Sequence, residues 1–492
     1  MVPTIKPATI NRFPKKPVCF GSVLAVCLSV LTLPACSDSD TDAISRVESG
    51  LLPLVSTEDQ LGARFSIEQR MHHYDVPGVS IAVFREGKIE WAKGYGFARP
   101  NENLPITKST LFQAASISKS ATAVGALRLV QDGKLRLDED INDSLDSWHI
   151  PPSRFTKEQD VTLRDLLGHT AGITVHGFPG YSRDADIPTL EEILNGVEPA
   201  NTERIEVNDS VGDNWRYSGG GYTIIQQLMI DVTQQAFQQF MSENVLIPLG
   251  MTNSTFELPL DDEMADRSAW GYRPGLGPVV GGYHHYPELA AAGLWSTPTD
   301  LAAFAIGVQR AASGHPASVI NQELANELLT ANMGNYGFGV MISGSGKSLQ
   351  FWHTGINEGF NSMYLAYSET GTGAVVMTNS NLSSGLITEI VRSIAEEYDW
   401  LDYPTAEQRE SSPFSAEQLA DYPGVYEIEE GFEVSIVRED ESLYMIFPSQ
   451  GRTEIYSDSY NNMLFITGFP FPPFQLDVDE TGSHIHFPAP GE

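Results

Sequence analysis

Apolar and polar positions change rhythm three times along this chain. Residues 79–84 and 89–95 are two short apolar-rich runs on either side of Arg85-Glu86-Gly87-Lys88, which predicts a β-hairpin. Residues 111–133, LFQAASISKSATAVGALRLVQDG, are apolar on most sides and stop at Gly133, which predicts a buried helix with a glycine C-cap. Helical spacing returns at 163–167, at 223–232 and in the segment 289–305, where Ser296-Thr297-Pro298 marks a turn and Thr299 or Asp300 an N-cap. Strand pairs are predicted at 336–342 with 348–353, and at 362–367 with 374–378. An amphipathic helix follows, with the stripe Leu386, Ile390 and Ile394 backed by Ile387 and Val391. Strands at both ends with helices between give an α+β layout around an antiparallel sheet, not alternating βαβ units.

The last part has a different rhythm. Residues 401–415 are polar and carry proline, the composition of a linker. Beyond them short strands recur at 433–437, 443–447, 463–466, 474–478 and 484–487, predicting a small antiparallel barrel or sandwich over residues 416–492. At the other end, Lys6, Arg12, Lys15 and Lys16 precede a sixteen-residue apolar run, 18–33, with no acidic residue before Asp38. The run is short for a membrane span and has the layout of a secretory signal over residues 1–35. It ends Leu33-Pro34-Ala35-Cys36, which resembles the lipobox of bacterial lipoproteins and implies lipidation of Cys36. The expected product is an exported protein held on a bacterial envelope by its lipid. Residues 36–56, polar and acidic, read as the tether, and residues 57–400 as the main domain.

Composition narrows the chemistry. Cys19, Cys27 and Cys36 are the only cysteines, so a processed chain keeps one, and disulfides, cysteine metal sites and thiol catalysis drop out. The formal charge of −34 becomes −38 once the four basic residues of the first 35 leave. Such a surface disfavours nucleic acid and anionic membrane, which leaves the lipid as the expected membrane contact.

The candidate chemistry begins with Ser116-x-x-Lys119. Three residues along a helix set the two side chains on one face, about 5–6 Å apart at Cβ. A lysine that loses its proton in a desolvated site can take the proton of a serine hydroxyl. Downstream stand Tyr217-Ser218-Gly219 and His353-Thr354-Gly355, in that order. With these motifs the chain resembles the serine β-lactamase and D-Ala-D-Ala carboxypeptidase superfamily, in its class C-like branch, which also holds esterases and D-aminopeptidases. The resemblance covers roughly residues 57–400 and extends to LLGHTAG, PLGM and AAAGLWSTPTDLA. It implies a β-lactamase/transpeptidase-like fold, Ser116 as the acylated nucleophile, and Lys119 and Tyr217 as the pair that manages its proton, with the lysine charge favouring the tyrosine phenolate. It further implies an oxyanion hole from the backbone N–H groups of Ser116 and Ile356, and a substrate edge at His353, Thr354 and Gly355. No metal and no cofactor is implied.

Two positions bear on substrate. His353 stands where many β-lactamases have a fixed lysine cation, and a histidine is mostly neutral at pH 7. Gly219 stands where penicillin-recognising members carry an asparagine that holds the acylamino group. Both favour small esters or D-amino-acid peptides over β-lactams as substrates. The competing expectation is a non-catalytic penicillin- or cell-wall-binding lipoprotein of the same fold. His169, beside the end of the 163–167 helix, reads as structural. Near-misses add nothing: Gly346-Lys347-Ser348 lacks the first glycine of a phosphate loop, Gly-x-Ser-x-Gly does not occur, the adjacent pairs His72-His73 and His284-His285 have diverging side chains, and His484-x-His486 lacks a third ligand.

Overall fold

The computed structural model describes residues 38–56, 61–404, 408–429, 432–447, 451–458, 463–466, 474–479 and 482–486. The expected signal segment and Cys36 lie outside these residues. Residues 44–492 form one compact unit.

The chain opens with helix α1 (Asp38–Ser49), strand β1 (Val55–Ser56) and helix α2 (Ile67–His73). The expected hairpin follows as β2 (Gly78–Arg85) and β3 (Lys88–Arg99), then β4 (Leu104–Pro105) and β5 (Phe112–Gln113). The helical part holds α3 (Ser118–Gln131), α4 (Leu163–Gly168), α5 (Leu190–Asn195), α6 (Gly219–Thr233), α7 (Phe237–Met241) and α8 (Asp262–Arg267). A small hairpin, β6 (Tyr272–Arg273) and β7 (Gly277–Pro278), precedes α9 (Leu289–Ala292), β8 (Trp295–Ser296), α10 (Pro298–Ala312) and α11 (Gln322–Leu328). The chain then returns to the sheet through β9 (Met341–Ser343), β10 (Gln350–Asn357), β11 (Phe360–Tyr367) and β12 (Gly373–Thr378), and closes on α12 (Ser384–Glu397).

Strands from both chain ends build one antiparallel sheet, ordered β4-β3-β2-β12-β11-β10-β9. Strand β2 is buried along nearly its whole length because helices cover both faces. Val79, Ile81 and Val83 meet α2 and α12 through Leu386, Ile390 and Ile394, so the stripe read from sequence is the core face of α12. Ala82 and Phe84 face the larger core with α3 and α10. Under α12, Glu389 is fully buried and takes Arg70 at 2.7 Å and the Tyr74 hydroxyl at 2.8 Å. Removing one partner of such a buried pair costs about 3–5 kcal/mol.

Two expected boundaries fail. The tether expected over 36–56 is ordered from Asp38, and Val47 and Leu51 are fully buried in the α12-side core. Four residues apart, they form an apolar pair that the surrounding acidic residues disguise, and Arg46 adds a two-pronged bond to Glu397. The linker expected over 401–415 contains β13 (Arg409–Ser412), which pairs parallel with β1 and antiparallel with a later strand. The C-terminal part then holds α13 (Ala416–Asp421), β14 (Gly424–Glu429), β15 (Phe432–Glu439), β16 (Ser442–Phe447), β17 (Gly451–Asp458), β18 (Leu464–Ile466), β19 (Gln475–Asp479) and β20 (Gly482–His486). Among the described residues it is all-β apart from α13, but its sheet is mixed, since β1/β13 and β14/β20 run parallel. It docks on the main domain where Arg452 donates its backbone N–H to Pro274 O at 3.1 Å.

Candidate active site

Ser116 sits in a single tight turn, Ala115–Ile117, that feeds directly into α3. Ala115 has φ of +50°, a conformation that non-glycine residues adopt at a cost and only when neighbours impose it. The neighbours are the residues before β8. Ala114 N–H donates to Leu294 O at 2.8 Å, Leu294 N–H donates to Ser118 Oγ at 2.9 Å, and β5 pairs with β8. The AAAGLWS segment is therefore the brace of the Ser116 turn.

Lys119 lies one turn further on and is 2% exposed. Its Nζ is 3.1 Å from Ser116 Oγ and 2.9 Å from Ala291 O, at the buried carbonyl end of the short helix α9. Thr122 Oγ1 fixes the same helix by donating to Ala290 O at 3.1 Å. Burial with no carboxylate nearby lowers the Lys119 pKa from 10.5 to about 7. Its Nζ stands 4.9 Å from the centre of the Tyr217 ring.

Tyr217 lines the same cavity as Ser116 and Lys119. It is held by the residues on either side of it, because Arg216 N–H donates to His169 O at 2.8 Å and Ser218 N–H donates to His169 Nδ1 at 3.2 Å. His169 is thus structural, as expected from sequence, and its place is specific. It ends α4 in the left-handed region, and its ring packs 4.4 Å from that of Tyr217. Burial raises the Tyr217 phenol above 10, with the Ser116 side chain opposing. Burial thus pushes the pair toward a neutral amine at Lys119 and a protonated phenol at Tyr217.

Strand β10 forms the opposite wall. Strand β9 pairs with it only at residues 350–352, so the edge from His353 to Asn357 has no strand beside it among the described residues. Gly355 allows the strand to come close, since a Cβ there would be 2.1 Å from Ala114 O. Thr354 and Ile356 are exposed along this edge. His353 is 4% exposed, with Nε2 3.1 Å from the Tyr336 hydroxyl and Nδ1 2.5 Å from Thr354 O. Burial and the nearby Lys119 lower its pKa to about 3, so it is neutral at working pH.

Ser116, Lys119, Tyr217, His353, Thr354 and Ile356 share a cavity of about 1030 Å³. Gly219 and Gly355 are not on its lining. At Gly219 a Cβ would lie 2.8 Å from the Phe178 ring, so Phe178 occupies the space where an asparagine side chain would begin. Sequence reasoning also missed His176, Phe178, Trp215 and Glu358, which loops and turns bring to the cavity wall, Trp352 beside the His353 motif on β10, and the Ala291 carbonyl behind Lys119. Behind the cavity Glu288 is fully buried with neither carboxylate oxygen bonded to another side chain among the described residues, and burial raises its pKa from 4.5 to about 8.

A serine and a buried lysine on one helix, faced by a tyrosine and the free edge of an antiparallel strand, define the serine β-lactamase/transpeptidase superfamily. Residues 65–396 match the Beta-lactamase family, and the chain belongs to it. It is similar to Protein flp of Staphylococcus aureus strain MRSA252, 26% identical over 336 residues that cover 64% of this chain and 62% of that protein. The match thus spans less than two thirds of that relative's length. Among solved structures it is similar to the octameric penicillin-binding protein homologue from Pyrococcus abyssi, with TM-score 0.59 and 20% identity, covering 86% of this chain and 97% of that one. It is also similar to D-amino acid amidase from Ochrobactrum anthropi SV3, with TM-score 0.58 and 22% identity, covering 73% and 99%. These likenesses establish the fold.

Proposed function

We propose that this protein is a serine acyl hydrolase that works through an acyl-Ser116 intermediate on small esters or D-amino-acid peptides, with β-lactams as poorer substrates. The observation that carries the reading is the buried Lys119 Nζ at 3.1 Å from Ser116 Oγ, with its pKa brought to about 7. Neutral Lys119 takes the hydroxyl proton as Oγ attacks the substrate carbonyl. The oxyanion is held by the N–H groups of Ser116 and Ile356. On collapse the carbon–leaving-group bond breaks, and the proton returns to the leaving group through Tyr217, which draws on Lys119. Water then repeats the sequence on the acyl-enzyme and frees Ser116. His353–Ile356 offers a strand edge on which an extended substrate lies.

The lower rank of β-lactams rests on Gly219 with Phe178 in front of it, which leaves no side-chain amide for an acylamino group, and on the neutral His353. In this reading the chain is exported and anchored by lipid at Cys36, which intact mass of the membrane-extracted protein tests. The activity is tested with p-nitrophenyl acetate and a stopped-flow burst. Wild type should release about one equivalent of p-nitrophenol in the burst, and Ser116→Ala none. Equal turnover by the two proteins would overturn the proposal.

A further inference from the structure

The chemistry above uses β10 from His353 to Ile356 and leaves the next acidic side chain on that path, Glu358, without a task. Glu358 lies on the cavity wall at the turn from β10 into β11. Its backbone is fixed, since its N–H donates to the Tyr286 hydroxyl at 2.9 Å. Its carboxyl is largely buried, and Oε1 has no hydrogen-bond partner among the described residues; Arg273 Nε stands 3.5 Å away. Burial raises the carboxyl's pKa above its ordinary value while the Arg273 cation opposes that rise, and no hydrogen bond closes on Oε1.

Direction along the strand gives the carboxyl its meaning. His353 packs toward Tyr217 and Tyr336, with ring centres 6.2 and 6.0 Å away. Tyr217 is the group that hands a proton to the leaving group, so the His353 end of β10 is the leaving-group end. Trp215, Met341 and Trp352 line that end, and His353 itself is neutral, so it suits an uncharged leaving group. Ile356, the oxyanion donor, marks the scissile carbonyl. Glu358 follows two residues further on, on the acyl side, in the turn that ends β10. In an α-aminoacyl group the nitrogen is two bonds from the carbonyl carbon, and an ion pair spans about 3 Å more. A carboxylate on the cavity wall at the acyl end is the group placed to meet that nitrogen.

We infer that Glu358 binds the free α-ammonium of the acyl group, which makes aminoacyl amides and esters with an unblocked amine the preferred substrate class. This rests on the acyl-Ser116 reading and names its acyl group. Alanine p-nitroanilide and its N-acetyl derivative, each in D and L forms, are compared on the full chain. Wild type should show kcat/KM at least tenfold higher for the free amine in one configuration. Glu358→Gln should bring that ratio close to one, chiefly through KM, and Glu358→Asp should restore part of it. Thermal midpoints of the variants verify folding.

A wild-type ratio of one or below, or a ratio unchanged in a folded Glu358→Gln, would overturn the inference. Turnover that persists in Ser116→Ala would instead sink the acyl-enzyme reading. Should neither anilide be cleaved, protection of Ser116 from a fluorophosphonate decides: alaninamide should protect and N-acetylalaninamide should not, and equal protection would count against Glu358.

Discussion

Replacing Lys119 with methionine should abolish activity and stabilise the protein, and both effects follow from one buried amine. The pKa of Lys119 is brought from 10.5 to about 7 by burial. At pH 7 about half the molecules then hold a neutral amine, where an ordinary lysine would offer roughly one in three thousand, a gain on the order of a thousandfold in available base. kcat/KM for a p-nitrophenyl ester should therefore rise about tenfold per pH unit between 4 and 6, reach half its plateau near pH 7 and flatten above 8. The same shift has a cost, because the unfolded chain binds this proton more tightly than the folded one. Below pH 7 both states are protonated and the whole penalty is present, on the order of 5 kcal/mol. Between pH 7 and 10.5 the folded state has already lost the proton, so the penalty is relieved as pH rises. Lys119→Met removes the charge and leaves the stem's packing, while it frees Ala291 O at a cost of about 1–3 kcal/mol. At pH 6 the variant should be more stable than wild type by a few kcal/mol in urea titration, and the gap should narrow toward pH 10. A flat activity profile between pH 5 and 9, or a variant that is less stable at pH 6, would refute the reasoning.

Three further outcomes follow from the geometry. Glu288, with its pKa raised from 4.5 to about 8, keeps its proton in the folded state after the unfolded state has lost it, so wild type should lose stability as pH climbs from 4.5 to 8. Glu288→Gln should flatten that part of the melting-temperature profile. Gly355→Ala places a methyl 2.1 Å from Ala114 O and must push β10 off the Ser116 turn, so ester kcat/KM should fall about a hundredfold with the fold intact by circular dichroism. Gly219→Asn alone meets Phe178 and should not speed acylation by benzylpenicillin, whereas Gly219→Asn with Phe178→Ala should speed it at least tenfold in an intact-mass time course.

Local pattern carried much of this into view before any coordinates. The serine, lysine and tyrosine are read from short motifs on a helix start and a helix cap, and the α12 stripe is a matter of spacing alone. What stayed hidden depends on contacts distant in the chain. Val47 and Leu51 look like chance apolar residues in an acidic stretch until α12 covers them some 340 residues later. Strand β13 has the composition of a linker and becomes a strand only because β1 and β17 supply partners on either side. The direction of the Tyr217 shift could not be read either, because it depends on how much of the ring is buried and on Lys119 lacking a carboxylate partner. Phe178 and Glu358 have no motif, and their meaning is positional.

The account stands or falls on acylation at Ser116 driven by a neutral Lys119. The direct measurement is peptide mapping by mass spectrometry of the full chain treated with a fluorophosphonate at pH 5 and pH 8. A single adduct on Ser116, formed about fifty- to a hundredfold faster at pH 8 and absent from Lys119→Met, is the predicted result. Labelling elsewhere, or labelling of Ser116 at the same rate in Lys119→Met, would contradict it.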